Sequence, residues 1–254
     1  MKFARFEANA DIYNGVVEAD EITVIRGSFF DQYEMTDQKY SISEIRFLPP
    51  VQPTKIVCVG QNYRGHIEEL GVPVPKEPVI FFKPPSCLIG HEHPIIYPQD
   101  AGRVDYEGEL AVVIKKAMKN VNESDALNFV LGYACFNDVT ERNLVGSNPF
   151  MLNLSKGMDT FGPCGPYLVT DLDPNRLVLQ TFLNGALKQQ DNTGNCVFSI
   201  QRLLSYICRY ITLLPGDVVA TGTPQGIAPM QPGDRVEVEI EGVGRLQNSV
   251  IAQD

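Results

Sequence analysis

The chain has 254 residues, 31 acidic and 21 basic, for a formal net charge of −10, and no run of lysine or arginine. That balance argues against nucleic acid or an anionic membrane surface as the main partner. Hydrophobic residues make up 44% and charged residues 20%, a globular composition with ample apolar area for a buried core, which excludes disorder as the main state.

No stretch approaches the roughly 18–20 consecutive apolar residues of a membrane span. The opening MKFARFEANA carries charge where a signal peptide needs its apolar core, so a cytoplasmic location is expected. The six cysteines form no C-x-x-C pair and mostly sit in apolar runs, which points to buried free thiols rather than disulfides or a zinc site.

Glycine and proline, 21 and 18 residues, cut the chain into short segments, so many strands and turns are expected. Residues 1–48 read as a small β unit: ITVIRG is a strand, and GSFFDQYEMTDQKYS is a polar, turn-prone connection. LPPVQPT, residues 48–54, has three prolines in seven positions and marks a boundary, with a larger unit over 49–254. KIVCVG is a buried strand, and QNYRGHIEELG is a short helical or turn segment that Gly71 terminates. PVIFFKP, PIIYP and VDYEGELAVVIKK follow as strands, the last the strongest in the sequence. ESDALNFVL has helical character with Ser124 as its N-cap. GYACFNDVT returns to strand, and ERNLVGSNPFML is a loop or short helix. YLVT, LVLQTFLNG, DVVATGTP and DRVEVEIEGVG are further strands around one amphipathic helix, VFSIQRLLSYICRYI. The pattern is α+β and β-rich rather than a regular βαβ alternation.

In VDYEGELAVVI, Asp105, Glu107 and Glu109 alternate, so on one strand all three carboxylates share a face. An isolated D-x-E-x-E is more often a solvent-facing strand. Here the acids run into AVVI, which is apolar on both faces, and buried carboxylates need a partner that a hard cation supplies. Asp138, at the end of an apolar strand, is a candidate third ligand, and an all-carboxylate set selects Mg²⁺ or Mn²⁺ over zinc. Three carboxylates and a divalent ion leave −3 + 2 = −1, so an anionic substrate needs basic neighbours, and Arg64, Lys83, Arg142 and Lys156 are the candidates.

His66 has Glu69 three residues on; on a helical turn the carboxylate orients the ring and makes its other nitrogen a better base. Any single His-x-x-Glu is more often an exposed pair. His91 and His93 have metal-like H-x-H spacing but nothing to complete a site, which favours a solvated turn. TGTPQGIAP follows a strand as a glycine-rich loop whose N–H and hydroxyl groups can hold a carboxylate or phosphate, an ordinary tight turn being the equal alternative. It lacks the P-loop and dinucleotide-fold signatures, so no nucleotide cofactor is expected.

The order VGQNYRGHIEEL, IFFKPPSCLIG, DYEGELAVVI, GYACFNDVTERN, KGMDTFGPCGPYLVT, LNGALKQQDNT, LLPGDVVATGTPQGI and GDRVEVEIEGVGRLQN resembles the fumarylacetoacetate hydrolase family from about residue 50 to the end. The similar branch holds acylpyruvate hydrolases, oxaloacetate decarboxylases and the isomerase/decarboxylases of homoprotocatechuate degradation. The resemblance implies a β-rich mixed-sheet catalytic fold behind a small N-terminal β domain, in a homodimer. It assigns Glu107, Glu109 and Asp138 to the metal and leaves Asp105 a structural role. It makes His66–Glu69 the water-activating dyad of hydrolytic members, Lys156 the stabiliser of enolate or oxyanion charge, and Arg142 and Thr223 substrate contacts; Arg64 and Lys83 join the expected substrate contacts on the charge argument alone.

The implied activity is Mg²⁺- or Mn²⁺-dependent chemistry on a small anionic 2-oxo or 2-hydroxy-dienoic di-acid through an enolate. Isomerisation/decarboxylation of the 2-hydroxyhepta-2,4-diene-1,7-dioate type stands slightly ahead of acylpyruvate hydrolysis and oxaloacetate decarboxylation. A protein that only binds a metal–carboxylate ligand is the alternative from another class.

Overall fold

The computed structural model describes residues 1–253. Strands β1 (Lys2–Ala8), β2 (Asp11–Glu18), β3 (Glu21–Gly27) and β4 (Tyr33–Ser41) form an antiparallel meander, and β5 (Arg46–Leu48) adds to β1. The expected polar connection GSFFDQYEMTDQKYS is therefore corrected: most of it is β4, an edge strand whose side chains are mainly exposed. A strand with no buried face carries no hydrophobic alternation to read.

Proline-rich residues 49–55 form no strand or helix. Beyond them come β6 (Ile56–Gly60), α1 (Arg64–Leu70), β7 (Val79–Lys83), β8 (Leu88–Ile89), β9 (Ile95–Tyr97), β10 (Val104–Asp105) and β11 (Gly108–Ile114). A 3₁₀ helix at Glu123–Phe129 precedes β12 (Val130–Asn137), β13 (Thr140–Glu141), α2 (Arg142–Ser147), α3 (Leu152–Gly157) and β14 (Gly162–Val169). Its cap is Asn122 rather than the expected Ser124. The chain ends through β15 (Val178–Leu183), β16 (Ala186–Asn192), α4 (Ile200–Tyr210), β17 (Val218–Ala220), β18 (Pro229–Met230), β19 (Arg235–Ile240) and β20 (Gly244–Ala252).

The main path of a twelve-stranded sheet runs β4-β3-β2-β1-β14-β12-β11-β17-β6-β7. A five-stranded sheet, β16-β15-β19-β20-β9, and a small one, β13-β10-β18, complete the strand-rich α+β fold. Residues 1–48 do not close a sheet of their own: β1 pairs with β14 through Lys2↔Val169 and Phe3↔Leu168.

Every residue of β11 is buried, as expected for a glycine-led run of Leu, Ala, Val and Ile covered on both faces. Leu110, Val112 and Ile114 face α4 and the five-stranded sheet, while Ala111 and Val113 join the cluster of Cys58, Phe81 and Phe136. Helix α4 begins where the Ser199 side chain accepts from Arg202 N, and it buries Leu203, Leu204, Ile207 and Cys208. Five of the six cysteines are buried, and all are free. Among the described residues no helix is long and apolar enough to cross a membrane.

Candidate metal centre

Strand register gathers the acids. In the β11–β12 pair Gly108 faces Asn137 and Glu109 faces Phe136, so the residues just outside the ladder, Glu107 and Asp138, lie side by side. Asp138 N donates to Glu107 O at 2.8 Å, and the Asn137 side chain accepts from Glu107 N at 2.9 Å. One oxygen from each of Glu107, Glu109 and Asp138 lies within 4.8 Å of the others, and all three residues are buried.

The long strand expected over 104–116 is interrupted at Tyr106–Glu107, which is a correction: β10 belongs to the small sheet and β11 to the large one. Asp105 is thereby turned away from the triad and accepts from Arg103 Nε at 2.7 Å and Arg142 Nε at 2.9 Å. It holds Arg142, whose other arm reaches Glu107.

Lys156, in the last turn of α3, donates to Glu107 Oε2 at 2.8 Å, Asp138 Oδ2 at 2.7 Å and Thr140 Oγ1 at 2.8 Å, with Nζ 5.0 Å from the Phe81 ring centroid. Burial would lower its pKa, but Asp138 and Glu107 raise it above the ordinary lysine value, so it stays charged. Burial would likewise raise Glu107, yet Lys156 and Arg142 outweigh it and lower that carboxyl to about 2.

Glu109 is the exception. Its one hydrogen bond is from Gly222 N, at 2.8 Å, and no basic side chain pairs with it. Burial and the neighbouring Asp138 and Glu107 push its pKa well above the carboxylate range. Three oxygen donors, one of them lacking a cation of its own, fit a hard divalent ion.

The N–H groups of the glycine-rich loop are taken up by the protein's own carboxyl groups. Gly222 N serves Glu109, and Gly226 N donates to Glu69 Oε1 at 3.0 Å. Gly222 has φ +99°, and a Cβ there would lie 2.8 Å from Asn62 Cβ, so only glycine brings this N–H to the carboxylate without strain. Thr223 donates to Gly108 O at 3.0 Å and accepts from Gln189 at 2.8 Å.

Helix α1 carries the dyad and ends at Gly71, whose φ of 65° closes the last turn. His66 is buried, and its Nδ1 lies 3.0 Å from Glu69 Oε2. With Nδ1 so occupied, Nε2 is the nitrogen left for the cavity that His66 lines.

That cavity holds about 140 Å³ and brings together His66, Glu107, Glu109, Asp138, Arg142, Lys156 and Thr223. Two expected substrate contacts are corrected. Lys83 is buried behind Asp138, donating to its Oδ1 at 2.6 Å and to Val139 O at 3.1 Å, and does not line the cavity. Its strand alternation turns it inward, where only an ion pair makes the charge tolerable. Arg64 is exposed on α1 and does not line the cavity either.

Sequence reasoning passed over Gln189, which accepts from Gly108 N at 3.0 Å and so ties β16 to the start of β11. It also passed over Asn62, whose side chain donates to Thr221 O at 2.7 Å and accepts from Phe198 N at 2.9 Å. Amides inside turn-rich motifs carry no periodic signal. His91, expected in a solvated turn, instead accepts from Gln247 N at 3.1 Å through Nδ1. Among the described residues, the acidic triad is the group with metal-ligand spacing.

Residues 55–251 match the family described as fumarylacetoacetate (FAA) hydrolase, C-terminal, and residues 1–50 match Rv2993c-like, N-terminal. A mitochondrial oxaloacetate tautomerase of Bos taurus is 42% identical over 82% of this chain and 70% of its own. The 5-carboxymethyl-2-hydroxymuconate delta-isomerase from Mycobacterium smegmatis has a TM-score of 0.93 at 36% identity, covering 100% of both chains. The 2-hydroxyhepta-2,4-diene-1,7-dioate isomerase from Mycobacterium marinum has a TM-score of 0.93 at 35% identity, covering 100% of this chain and 99% of its own.

Proposed function

Since the chain belongs to the fumarylacetoacetate hydrolase family, whose members are enzymes, we propose that it is a Mg²⁺- or Mn²⁺-dependent enzyme that shifts a proton on small 2-oxo or 2-hydroxy-dienoic acids. Isomerisation, with or without decarboxylation, is the leading reaction. One observation carries the reading: an oxygen-only triad and a histidine oriented by a carboxylate line the same cavity. The likeness to a tautomerase and two isomerases supports it.

Glu107, Glu109 and Asp138 would hold the ion. When bound, it supplies Lewis-acid stabilisation of the negative charge that develops on the oxo oxygen. His66 removes the proton from the carbon beside the oxo group through Nε2 and returns it elsewhere on the conjugated system, while Glu69 fixes the ring. Lys156 contributes a fixed positive charge beside the carboxylates that would hold the ion. Arg142, latched by Asp105, keeps Glu107 ionised.

Carbon–carbon hydrolysis of an acylpyruvate is the second reading, favoured by the same dyad: His66 would take its proton from water instead of carbon. Proton NMR of acetylpyruvate, oxaloacetate and 2-hydroxyhepta-2,4-dienedioate, each with Mg²⁺ and with chelator, tests both. Chelator-sensitive turnover is expected, and the product separates isomerase, decarboxylase and hydrolase. Mg²⁺ binding without turnover of any of them would overturn these three reactions and favour another substrate or a ligand-binding protein.

A further inference from the structure

Most of the polar side chains that line the cavity are already engaged by the protein itself. Lys156 spends its three N–H groups on Glu107, Asp138 and Thr140, and Arg142 commits Nε to Asp105 and Nη2 to Glu107. Thr223 both donates and accepts, and His66 has Nδ1 occupied by Glu69. Gln61 differs: it lines the same cavity, and among the described residues no protein group hydrogen-bonds its side-chain amide. We propose that Gln61 reads the end of the substrate remote from the metal, its Nε2 donating to the second carboxylate of a 2-oxo di-acid. The proposal rests on the reading of the site as one for such acids.

The backbone supports a role for this side chain. Gln61 follows Gly60, the last residue of β6, and has φ 55°. That left-handed conformation sets a Cβ against the neighbouring carbonyl, a cost that glycine escapes. Of the residues lining the cavity, Gln61 alone combines a side chain with a positive φ. The turn is pinned by the next residue instead, since Asn62 donates to Thr221 O at 2.7 Å and accepts from Phe198 N at 2.9 Å. Glycine at 61 would serve the turn better, so the strain accompanies a long amide whose use lies in the cavity.

The amide does not serve the metal ligands. Glu109 takes its one hydrogen bond from Gly222 N, which leaves Gln61 outside its reach. Arg142 and Lys156, by contrast, are fastened to the carboxylates that would hold the ion, where the oxo acid end of the substrate belongs. A carboxylate further along the chain therefore needs a donor from another element, and the β6–α1 connection supplies one with two N–H groups. A hydrogen bond to a charged acceptor is about twice as strong as a neutral one, which gives this contact weight in selection.

Unreactive amide analogues isolate the far end. With Mn²⁺ present, calorimetry on the full-length protein would compare oxamate with two isosteric pairs, N-oxalylglycine against N-isobutyloxamate and N-oxalyl-β-alanine against N-isopentyloxamate. In at least one pair the carboxylate is expected to bind tenfold or more tightly than the alkyl compound. That ratio should fall toward one in Gln61→Ala and Gln61→Gly and invert in Gln61→Glu. In chelator, Gln61→Gly should melt at or above the wild-type temperature, because glycine relieves φ 55°. No preference for the carboxylate in either pair, in a protein that binds oxamate, would overturn the proposal and leave the 2-oxo acid reading standing. Failure of all five ligands would overturn that reading and the proposal with it. A ratio that survives both Gln61→Ala and Gln61→Gly, or a lower melting temperature for Gln61→Gly, would overturn the assignment to Gln61.

Discussion

Replacing Lys156 with methionine removes the cation that two buried carboxylates share, while keeping most of the side-chain volume. Breaking a buried ion pair from one side costs about 3–5 kcal/mol. The lower end applies here, because each acid keeps a second partner: Arg142 for Glu107 and Lys83 for Asp138. A loss of about 3 kcal/mol in a chain of this size lowers the melting temperature by about 6–12 °C. The loss should depend on metal. In chelator only Arg142 and Lys83 remain to the cluster, whereas a divalent ion supplies further positive charge to the same oxygens, and at a hundredfold excess over its Kd it adds about 2.7 kcal/mol or more to the folded state. Thermal unfolding of wild type and K156M, each with chelator and with saturating Mn²⁺, measures both effects. The deficit should narrow when Mn²⁺ is added. An identical deficit in both conditions would refute the view that lysine and metal neutralise one cluster.

Glu69→Gln should keep the bond from Gly226 N but present an amide N–H to His66 Nδ1, lowering kcat by about 10²–10⁴ with KM little changed, as read by steady-state kinetics. Gly222→Ala forces a Cβ against Asn62 at φ +99° and withdraws the N–H from Glu109, so weaker Mn²⁺ binding by calorimetry is expected together with a lower melting temperature. Asp217 is an acid remote from the site: burial would raise its pKa, but bonds from Lys55, Thr54 and Leu214 N hold it below its ordinary 3.8. A depressed carboxyl stabilises the fold fully above 3.8 and loses that contribution as pH falls through the folded value. Asp217→Asn should therefore cost stability at neutral pH and progressively less in acid, and equal losses in denaturant melts at both pH values would contradict it.

Much of this was legible before the structure because burial leaves periodicity. KIVCVG, GELAVVI and GYACFN are apolar on both faces, and the helix at 200–210 shows its stripe plainly. The triad was readable because Glu107, Glu109 and Asp138 stand at the ends of such runs, where a register can bring them together. What escaped notice lacked that cue. β4 is polar because it is a sheet edge, and the interruption at Tyr106 lies inside an unbroken alternation. Lys83 reads from sequence as a basic neighbour for an anionic substrate, and only the third dimension places Asp138 and Val139 O around it.

The short strand β17 lies between β11 and β6, antiparallel to one and parallel to the other. The strand bearing Glu109 is thus separated from the strand leading to the His66 helix until Val218–Ala220 arrives. During synthesis, the chain through Ala220 must leave the ribosome before that gap can be filled. Pairing across such sequence distances slows folding and leaves two apolar strand edges open in the nascent chain, where contact with another molecule competes with closure. Until Ala220 emerges, the pairing edges of β11 and β6 wait open.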